Sequence, residues 1–262
     1  MPTSTALKAF AEAPGAFFPA LGNEVVDDER FYVNVSYDRK WINACRLTFD
    51  PGDAHAVFAE IHALEPGAVA SWITPRAELV EALRDAGARD PGPPLLPSFT
   101  ALAIEQEPPA PAGDIEVRRV ESFDDFVVAL ELELSSENWT DEARAARRAD
   151  LQETYRRRRE LPGGAWLAFL DGRAVASAGA VACSAGLFLG GAATHPDARG
   201  RGCYRALIRA RWDEAVRLGT PALVVHAQET SRPILESVGF EDRKSTRLNS
   251  SHPVLSRMPS SA

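Results

Sequence analysis

The chain has 262 residues, of which 45% are hydrophobic and 25% charged, and its formal net charge is −8. These values are typical of a globular protein with a sizeable core, and the acidic balance argues against non-specific binding to nucleic-acid phosphates. No apolar run reaches the roughly 18 residues of a membrane span, and the first residues lack the basic start and apolar stretch of a signal peptide.

The first segment, residues 1–104, is predicted to form a small α/β domain. Alternating apolar residues predict its strands, and apolar residues at helical spacing predict its helices. We expect the last strand to close this segment, and the Pro-rich residues 105–113 to form a linker. The predicted elements are strands 31–37 and 41–49, helix 53–64, strand 69–74, helix 75–87 and strand 98–104.

The second segment, residues 114–241, is predicted to form a second α/β domain. The first segment repeats the last part of its element order, and ALRDAGA at 82–88 echoes ILESVGF at 234–240. Internal duplication and a chance match are both open for so short an echo. The predicted elements are strand 114–120, helices 123–135 and 140–161, three strands within 164–196 with a hairpin turn at 171–172, helix 202–218, strand 221–227, helix 231–239 and a strand from 240.

The last residues, 242–262, differ from the rest of the chain in composition. DRKSTRLNSSH and LSRMPSSA are both encodable by a widely used sequencing-library adapter, and the two stretches fall in the adapter's order. We therefore expect an artefactual tail, with the native reading frame interrupted near Glu241. The alternative is a genuine disordered, Ser-rich tail.

Residues 195–212, HPDARGRGCYRALIRARW, combine arginines and glycines in a loop that leads into a helix. The first turn of a helix carries free N–H groups and the positive end of the helix dipole. Gly200 and Gly202 allow close approach of the backbone to a ligand, and Arg199 and Arg201 add positive charge. The loop therefore predicts a phosphate or pyrophosphate site, with a solvated connecting turn as the alternative. It matches neither a P-loop nor a dinucleotide-binding fingerprint.

HPDARGRGCYRALI resembles the signature loop of the GNAT superfamily of N-acetyltransferases, R/Q-x-x-G-x-G/A. Arg199 and Gly202 match its first two anchors, and SRPILESVGF at 231–240 resembles the family's second cofactor-contacting helix. The resemblance implies a mixed central sheet flanked by helices at 114–241. For the first segment it implies a degenerate GNAT-like half-domain.

The resemblance also implies acetyl-CoA as co-substrate. By that resemblance, backbone N–H groups bind the pyrophosphate, a strand backbone pairs with the pantetheine arm, and an amide side chain contacts the cofactor. The implied pyrophosphate donors are Arg199, Gly200, Arg201, Gly202, Cys203 and Tyr204; the implied pantetheine strand ends at Ala192, Ala193 and Thr194; and the implied side-chain contact is Gln228.

Two positions depart from the family pattern. Tyr204 stands where the motif ends in Gly or Ala, so its ring either packs on the sheet beside Leu207 and Ile208 or borders the cofactor. Many relatives carry an Asn and, seven residues on, a Tyr that protonates the departing thiolate. Here those positions hold Gln228 and Leu235, and leucine has no proton to donate.

Candidate catalytic bases are few. His226 lies on the strand beside the expected reaction centre, and imidazole titrates in a useful range; the alternative is a structural strand histidine. Glu137 lies between the first two helices, where relatives often contact the acceptor, and the alternative is a solvated acid. The arginine run at 156–159 predicts a solvated helix face.

The sequence thus predicts transfer of an acetyl group from acetyl-CoA to a primary amine of a small molecule or a peptide. A non-catalytic acyl-CoA sensor or scaffold is the alternative, because Leu235 occupies the proton-donor position. The three cysteines have no CxxC spacing, so we expect no metal and a reducing, cytoplasmic location. We further expect no nucleic-acid or membrane partner, and a monomer or homodimer.

Overall fold

A computed structural model describes the chain at residues 10, 14–17, 23–36, 39–74, 76–89, 100–111, 113, 115–135, 140–227 and 229–244. The described residues form two compact units, and each has its own core. The N-terminal unit lies within residues 12–99, and the C-terminal unit holds residue 10 and residues 100–244. In the described part, no helix has the length and apolar character needed to cross a bilayer.

The N-terminal unit contains a four-stranded sheet in the order β1-β2-β3-β4. Strands β3 and β4 are parallel and pair over four consecutive residues, from Trp41 with Val69 to Ala44 with Trp72. Both helices bury one apolar face. The elements are β1 (Glu24–Asp27), β2 (Tyr32–Val35), β3 (Trp41–Cys45), α1 (Ala54–Leu64), β4 (Val69–Trp72) and α2 (Ala77–Asp85).

The C-terminal unit contains a seven-stranded mixed sheet in the order β11-β5-β10-β9-β8-β7-β6. Helices α3 and α6 pack on this sheet; α3 buries apolar residues, and α6 buries apolar residues together with Arg211 and Glu214. The strands are β5 (Thr100–Ile104), β6 (Glu116–Arg119), β7 (Gly163–Leu170), β8 (Arg173–Cys183), β9 (Gly186–Thr194), β10 (Leu223–Ala227) and β11 (Glu241–Lys244). The helices are α3 (Phe123–Leu134), α4 (Asp141–Arg148), α5 (Leu151–Glu160), α6 (Cys203–Arg217) and α7 (Arg232–Ser237).

Most predicted elements of this unit form where the local sequence specifies them. Ser122 caps α3 by accepting a hydrogen bond of 3.0 Å from the N–H of Asp125. Asp171 and Gly172 both have positive φ, 52° and 75°, which is the backbone of the predicted two-residue hairpin turn. That turn sets the register in which Leu170 pairs with Arg173.

Three predicted elements differ from the structure. The predicted helix 140–161 is two helices, because Asp150 adopts a left-handed conformation with φ 53° between α4 and α5. The predicted strand 41–49 ends at Cys45, since Arg46 has φ 50°. Strand β5 was expected to close the first segment. It instead lies in the seven-stranded sheet, antiparallel to β10 and β11.

The predicted last strand also forms, from Glu241 to Lys244, and it pairs with β5. Glu241 lies opposite Ala103, and Asp242 lies opposite Leu102. The strand therefore includes the first residues of the segment that resembles a translated adapter. The rest of that segment, residues 245–262, lies outside the described residues.

Candidate active site

The predicted anion-binding loop connects β9 to α6. His195 accepts a 3.4 Å hydrogen bond through Nδ1 from the N–H of Asp197, and one turn of 3₁₀ helix, Pro196–Ala198, follows. Gly200 and Gly202 then adopt φ of 75° and 90°, values that other residues rarely adopt. These two turns direct the chain into α6 at Cys203.

The N–H groups of this loop divide into two sets. Arg199 donates to the carbonyl of Pro196 at 3.2 Å, and Arg201 donates to that of Ala198 at 3.4 Å. By contrast, the amides of Gly200, Gly202 and Tyr204 find no backbone acceptor among the residues that the structure describes. Those amides remain available to an anion at the positive end of α6, whereas two of the six predicted donors are already bonded within the loop.

The side chains around the loop complete this arrangement. Arg199 and Arg201 are exposed, and Arg201 lies 4.0 Å from the carboxylate of Asp171, which is still more exposed. Cys203 is buried, and burial raises the pKa of its thiol. Cys203 therefore offers its backbone, and not a reactive thiolate, to this site.

Tyr204 packs on the sheet, as the first of the two predicted alternatives required. Its ring contacts the core cluster that contains Leu207 and Ile208, and the guanidinium of Arg211 lies 5.7 Å from the ring centroid. Arg211 itself is buried, with Nε donating to the carbonyl of Leu207 at 2.9 Å. The loop therefore accommodates a tyrosine at the third anchor position of the motif, because the tyrosine ring packs against the core.

Strands β9 and β10 separate in front of this loop. They are parallel and pair only at Leu187 with Leu223 and at Phe188 with Val224. The remainder of β9, up to Thr194, pairs with β8 on its other edge. Within the described strands, the β10-facing edge of that stretch therefore has no ladder partner, and its backbone groups can pair with an extended ligand.

A β-bulge lies in the stretch of β9 that pairs with β8 but not with β10. Ala192 pairs with Ala178 and Gly190 pairs with Gly179, so Gly191 is the extra residue. Ala193 and Thr194 continue the ladder with β8 opposite Ser177 and Ala176. The predicted pantetheine-pairing residues 192–194 thus lie on the free edge, between the bulge and the anion loop.

His226 lies on β10, opposite Ala101 of β5. Its ring is 5.6 Å from the ring of Phe10 and 5.6 Å from that of Phe188. Burial lowers the pKa of His226 to about 4, so its imidazole is neutral at pH 7 and is a weak base. Its catalytic role stays a prediction. The other predicted site residues, Glu137 and Gln228, lie outside the described residues.

Sequence analysis missed a charged pocket on the C-terminal unit's sheet. Glu133 of α3 lies there beside Arg147 of α4 and Arg158 of α5, next to the bulged Gly191. The run that contains Arg158 was predicted to be a solvated helix face. Only the structure distinguishes Arg158 from its neighbours, because the pattern of the run alone does not reveal which guanidinium meets the sheet.

The N-terminal unit has the same succession of strand, 3₁₀ turn, helix and parallel strand, but not the same site. Its parallel strands β3 and β4 stay paired over all four residues, which leaves no open edge between them. Asp50 and Asp53 precede α1 in place of arginines, and negative charge at that end repels a phosphate. Neither unit contains, in its described residues, a group of three or more His, Cys, Asp or Glu side chains that could hold a metal.

A splayed parallel strand pair with the N-terminus of α6 at its mouth defines the α/β domain of this unit. The sequence profile of the Acetyltransferase (GNAT) family matches residues 126–240. The chain therefore contains a GNAT acetyltransferase domain at these residues.

Solved structures with this fold cover most of the chain. The GCN5-related N-acetyltransferase from Kribbella flavida is similar with a TM-score of 0.65 and 17% identity, over 94% of this chain and 95% of that one. The GCN5-related N-acetyltransferase from Sphaerobacter thermophilus has a TM-score of 0.55 and 16% identity, over 85% of this chain and 76% of that one. A tandem GNAT protein from the clavulanic acid biosynthesis pathway has a TM-score of 0.55 and 14% identity, over 88% of this chain and 79% of that one. No curated protein matches the sequence.

Proposed function

We propose that the C-terminal unit binds acetyl-CoA and transfers its acetyl group directly to a primary amine of a small molecule or a peptide. The observation that carries the proposal is the unpaired edge of β9, which leads to the available amides of Gly200, Gly202 and Tyr204. Membership of the GNAT family, whose members use acetyl-CoA, supports the donor.

The residues present fit the two ends of coenzyme A. A diphosphate accepts hydrogen bonds from the available amides at the head of α6, and the exposed Arg199 and Arg201 add positive charge. The amide-rich pantetheine arm fits the free strand edge at residues 192–194, because it can alternate donors and acceptors as a strand does. The thioester would then lie near the bulge at Gly191.

The proposed reaction needs no covalent enzyme intermediate. The lone pair of the amine attacks the acetyl carbon, a C–N bond forms, and the C–S bond breaks with its electrons leaving on sulfur. The amine loses one proton to a base or to water, and the thiolate gains one. Backbone N–H groups near the bulge would stabilise the negative charge that develops on the carbonyl oxygen.

A second candidate function is acyl-CoA binding without turnover, and Leu235 is the observation that favours it. This side chain is fully buried in the core of the C-terminal unit, at the position where many relatives carry a proton-donating tyrosine. It cannot protonate a thiolate. An enzyme with this residue takes that proton from water or from another group.

The three cysteines support the proposed cytoplasmic location. Cys45, Cys183 and Cys203 are all free and buried, and burial raises the pKa of each thiol. Free thiols persist in compartments that keep thiols reduced. We propose that the protein acts there on a diffusible amine or a peptide, as a monomer or a homodimer.

The test compares two glycines of equal backbone conformation at opposite ends of α6. Gly200 and Gly219 have φ of 75° and 76°, and a Cβ at either would meet nothing within 4 Å. Gly200→Asp and Gly219→Asp therefore carry the same strain, about 1 kcal/mol each. Only Gly200→Asp places a carboxylate beside the diphosphate. We expect it to weaken acetyl-CoA binding about tenfold in calorimetry, after solvent screening of the repulsion.

Equal affinities of the two variants would contradict the proposed phosphate site. Thiol release from acetyl-CoA, followed across a panel of amines, then separates the two functions. Release with at least one amine supports the transferase. Tight acetyl-CoA binding with no release for any amine supports the sensor.

A further inference from the structure

The charged pocket of the C-terminal unit lies against the sheet where the acetyl group is expected. It is a small space of about 20 Å³ with an open mouth, enough for only a few atoms of a ligand. Gly191, the bulged residue of β9, forms part of its wall. A molecule in this pocket would therefore sit beside the bulge, and only a small one fits. The lining residues are Phe126, Ala129, Leu130, Glu133, Arg147, Arg158, Ala165, Ser177, Ala178, Gly179 and Gly191.

The polar part of the pocket contains one carboxylate and two guanidinium groups. Glu133 accepts a 3.4 Å hydrogen bond through Oε1 from Nη2 of Arg147. The other carboxylate oxygen of Glu133 would lie 3.7 Å from a Cβ at Gly191. The carboxylate thus faces the bulge across a gap that exists because residue 191 has no side chain.

Arg158 is the second cation, and among the described residues only Glu133 attracts its charge. Its Nη1 would lie 3.5 Å from a Cβ at Gly179, on the sheet side of the pocket. Its side chain forms no hydrogen bond or ion pair with the residues that the structure describes. Arg158 lines the pocket but is exposed as a residue, so part of its side chain is open to solvent. Among the described lining residues, the pocket therefore has two positive groups and one negative group.

We propose, on the basis of the proposed transferase function, that the acceptor is a small amine that also carries a carboxylate, such as an amino acid. Arg158 binds the carboxylate in a bidentate fashion, which supplies a second negative group. Glu133 attracts the amino group towards Gly191, where the thioester lies. A polycationic acceptor fits poorly, because it would bring further positive charge to a pocket that already has an excess.

The neighbouring residue Arg157 provides a matched control on the same helix. Its Nε donates to Glu153 at 2.8 Å, and it does not line the pocket. Arg158→Gln and Arg157→Gln thus remove the same charge from adjacent positions. A thermal melt of both variants checks that each one folds, and calorimetry with acetyl-CoA checks that donor binding is intact.

The experiment measures thiol release with paired acceptors that differ by one carboxylate: leucine against isopentylamine, and γ-aminobutyrate against propylamine. We expect kcat/KM to be about 10- to 100-fold higher for at least one carboxylate-bearing partner. Arg158→Gln should remove that preference, Arg158→Lys should restore part of it, and Arg157→Gln should retain it.

Two results would overturn the proposal while leaving the donor site standing. One is acetyl-CoA binding with turnover of the plain amines and of none of the amino acids. The other is a carboxylate preference that survives in Arg158→Gln. A failure of acetyl-CoA to bind would instead remove the proposed function itself, and the acceptor assignment with it.

Discussion

Acidification should destabilise the C-terminal unit through His226. The pKa of this imidazole is about 4 in the folded protein, against 6.5 for an ordinary histidine, because the ring is buried beside Phe10 and Phe188. The unfolded chain therefore binds a proton at pH values where the folded chain does not. Above pH 6.5 both states are neutral, so the stability contributed by His226 is constant there and falls as the pH drops from about 6.5 to 4.

The size of the effect follows from the two pKa values. A separation of 2.5 pKa units corresponds to about 3 kcal/mol when the titration is complete. At pH 5 the unfolded histidine is almost fully protonated and the folded one is still neutral. About 2 kcal/mol of unfolding free energy should therefore be lost between pH 7.5 and pH 5.

The assay is urea denaturation followed by circular dichroism at pH 7.5 and pH 5, on the wild type and on His226→Gln. Other groups titrate in this range, so the relevant quantity is the difference between the two proteins' pH-dependent losses. We expect the wild type to lose about 2 kcal/mol more than the variant. An equal loss in both proteins would refute the reasoning that His226 is kept neutral by burial.

Two further predictions concern stability. Gly163 has φ 125° and an added Cβ would clash with the carbonyl oxygen of Ala180, whereas Gly172 has φ 75° and its added Cβ would meet nothing within 4 Å. Gly163→Ala should therefore lower the unfolding free energy by about 3 kcal/mol or more in urea denaturation, and Gly172→Ala by about 1 kcal/mol. Similar costs for the two variants would contradict the clash. Ser122→Ala removes the cap bond to Asp125 and should lower the unfolding free energy by about 1 kcal/mol, whereas an unchanged free energy would mean that the cap contributes nothing.

Local patterns in the sequence predicted most elements of the C-terminal unit and the position of the glycine-containing loop before α6. The turn at Asp171–Gly172 and the glycines at 200 and 202 adopt the positive φ that their residue types favour. Such features depend on a few neighbouring residues, so the sequence alone specifies them. The loop motif within residues 195–208 resembles the GNAT signature, and the sequence profile of that family matches residues 126–240.

The tertiary structure alone decided which strands pair and where the side chains lie. Strand β5 pairs with β10 and β11, across more than a hundred residues of chain, and local alternation carries no information about so distant a partner. Arg158 lines the pocket and Arg157 pairs with Glu153, although both belong to one run of arginines. The burial of His226 was likewise decided by the tertiary structure, because the rings that pack against it belong to other segments. The spacing of apolar residues and the residue types of a turn are local properties of the sequence. The surroundings of a side chain, by contrast, are set by segments far away in sequence.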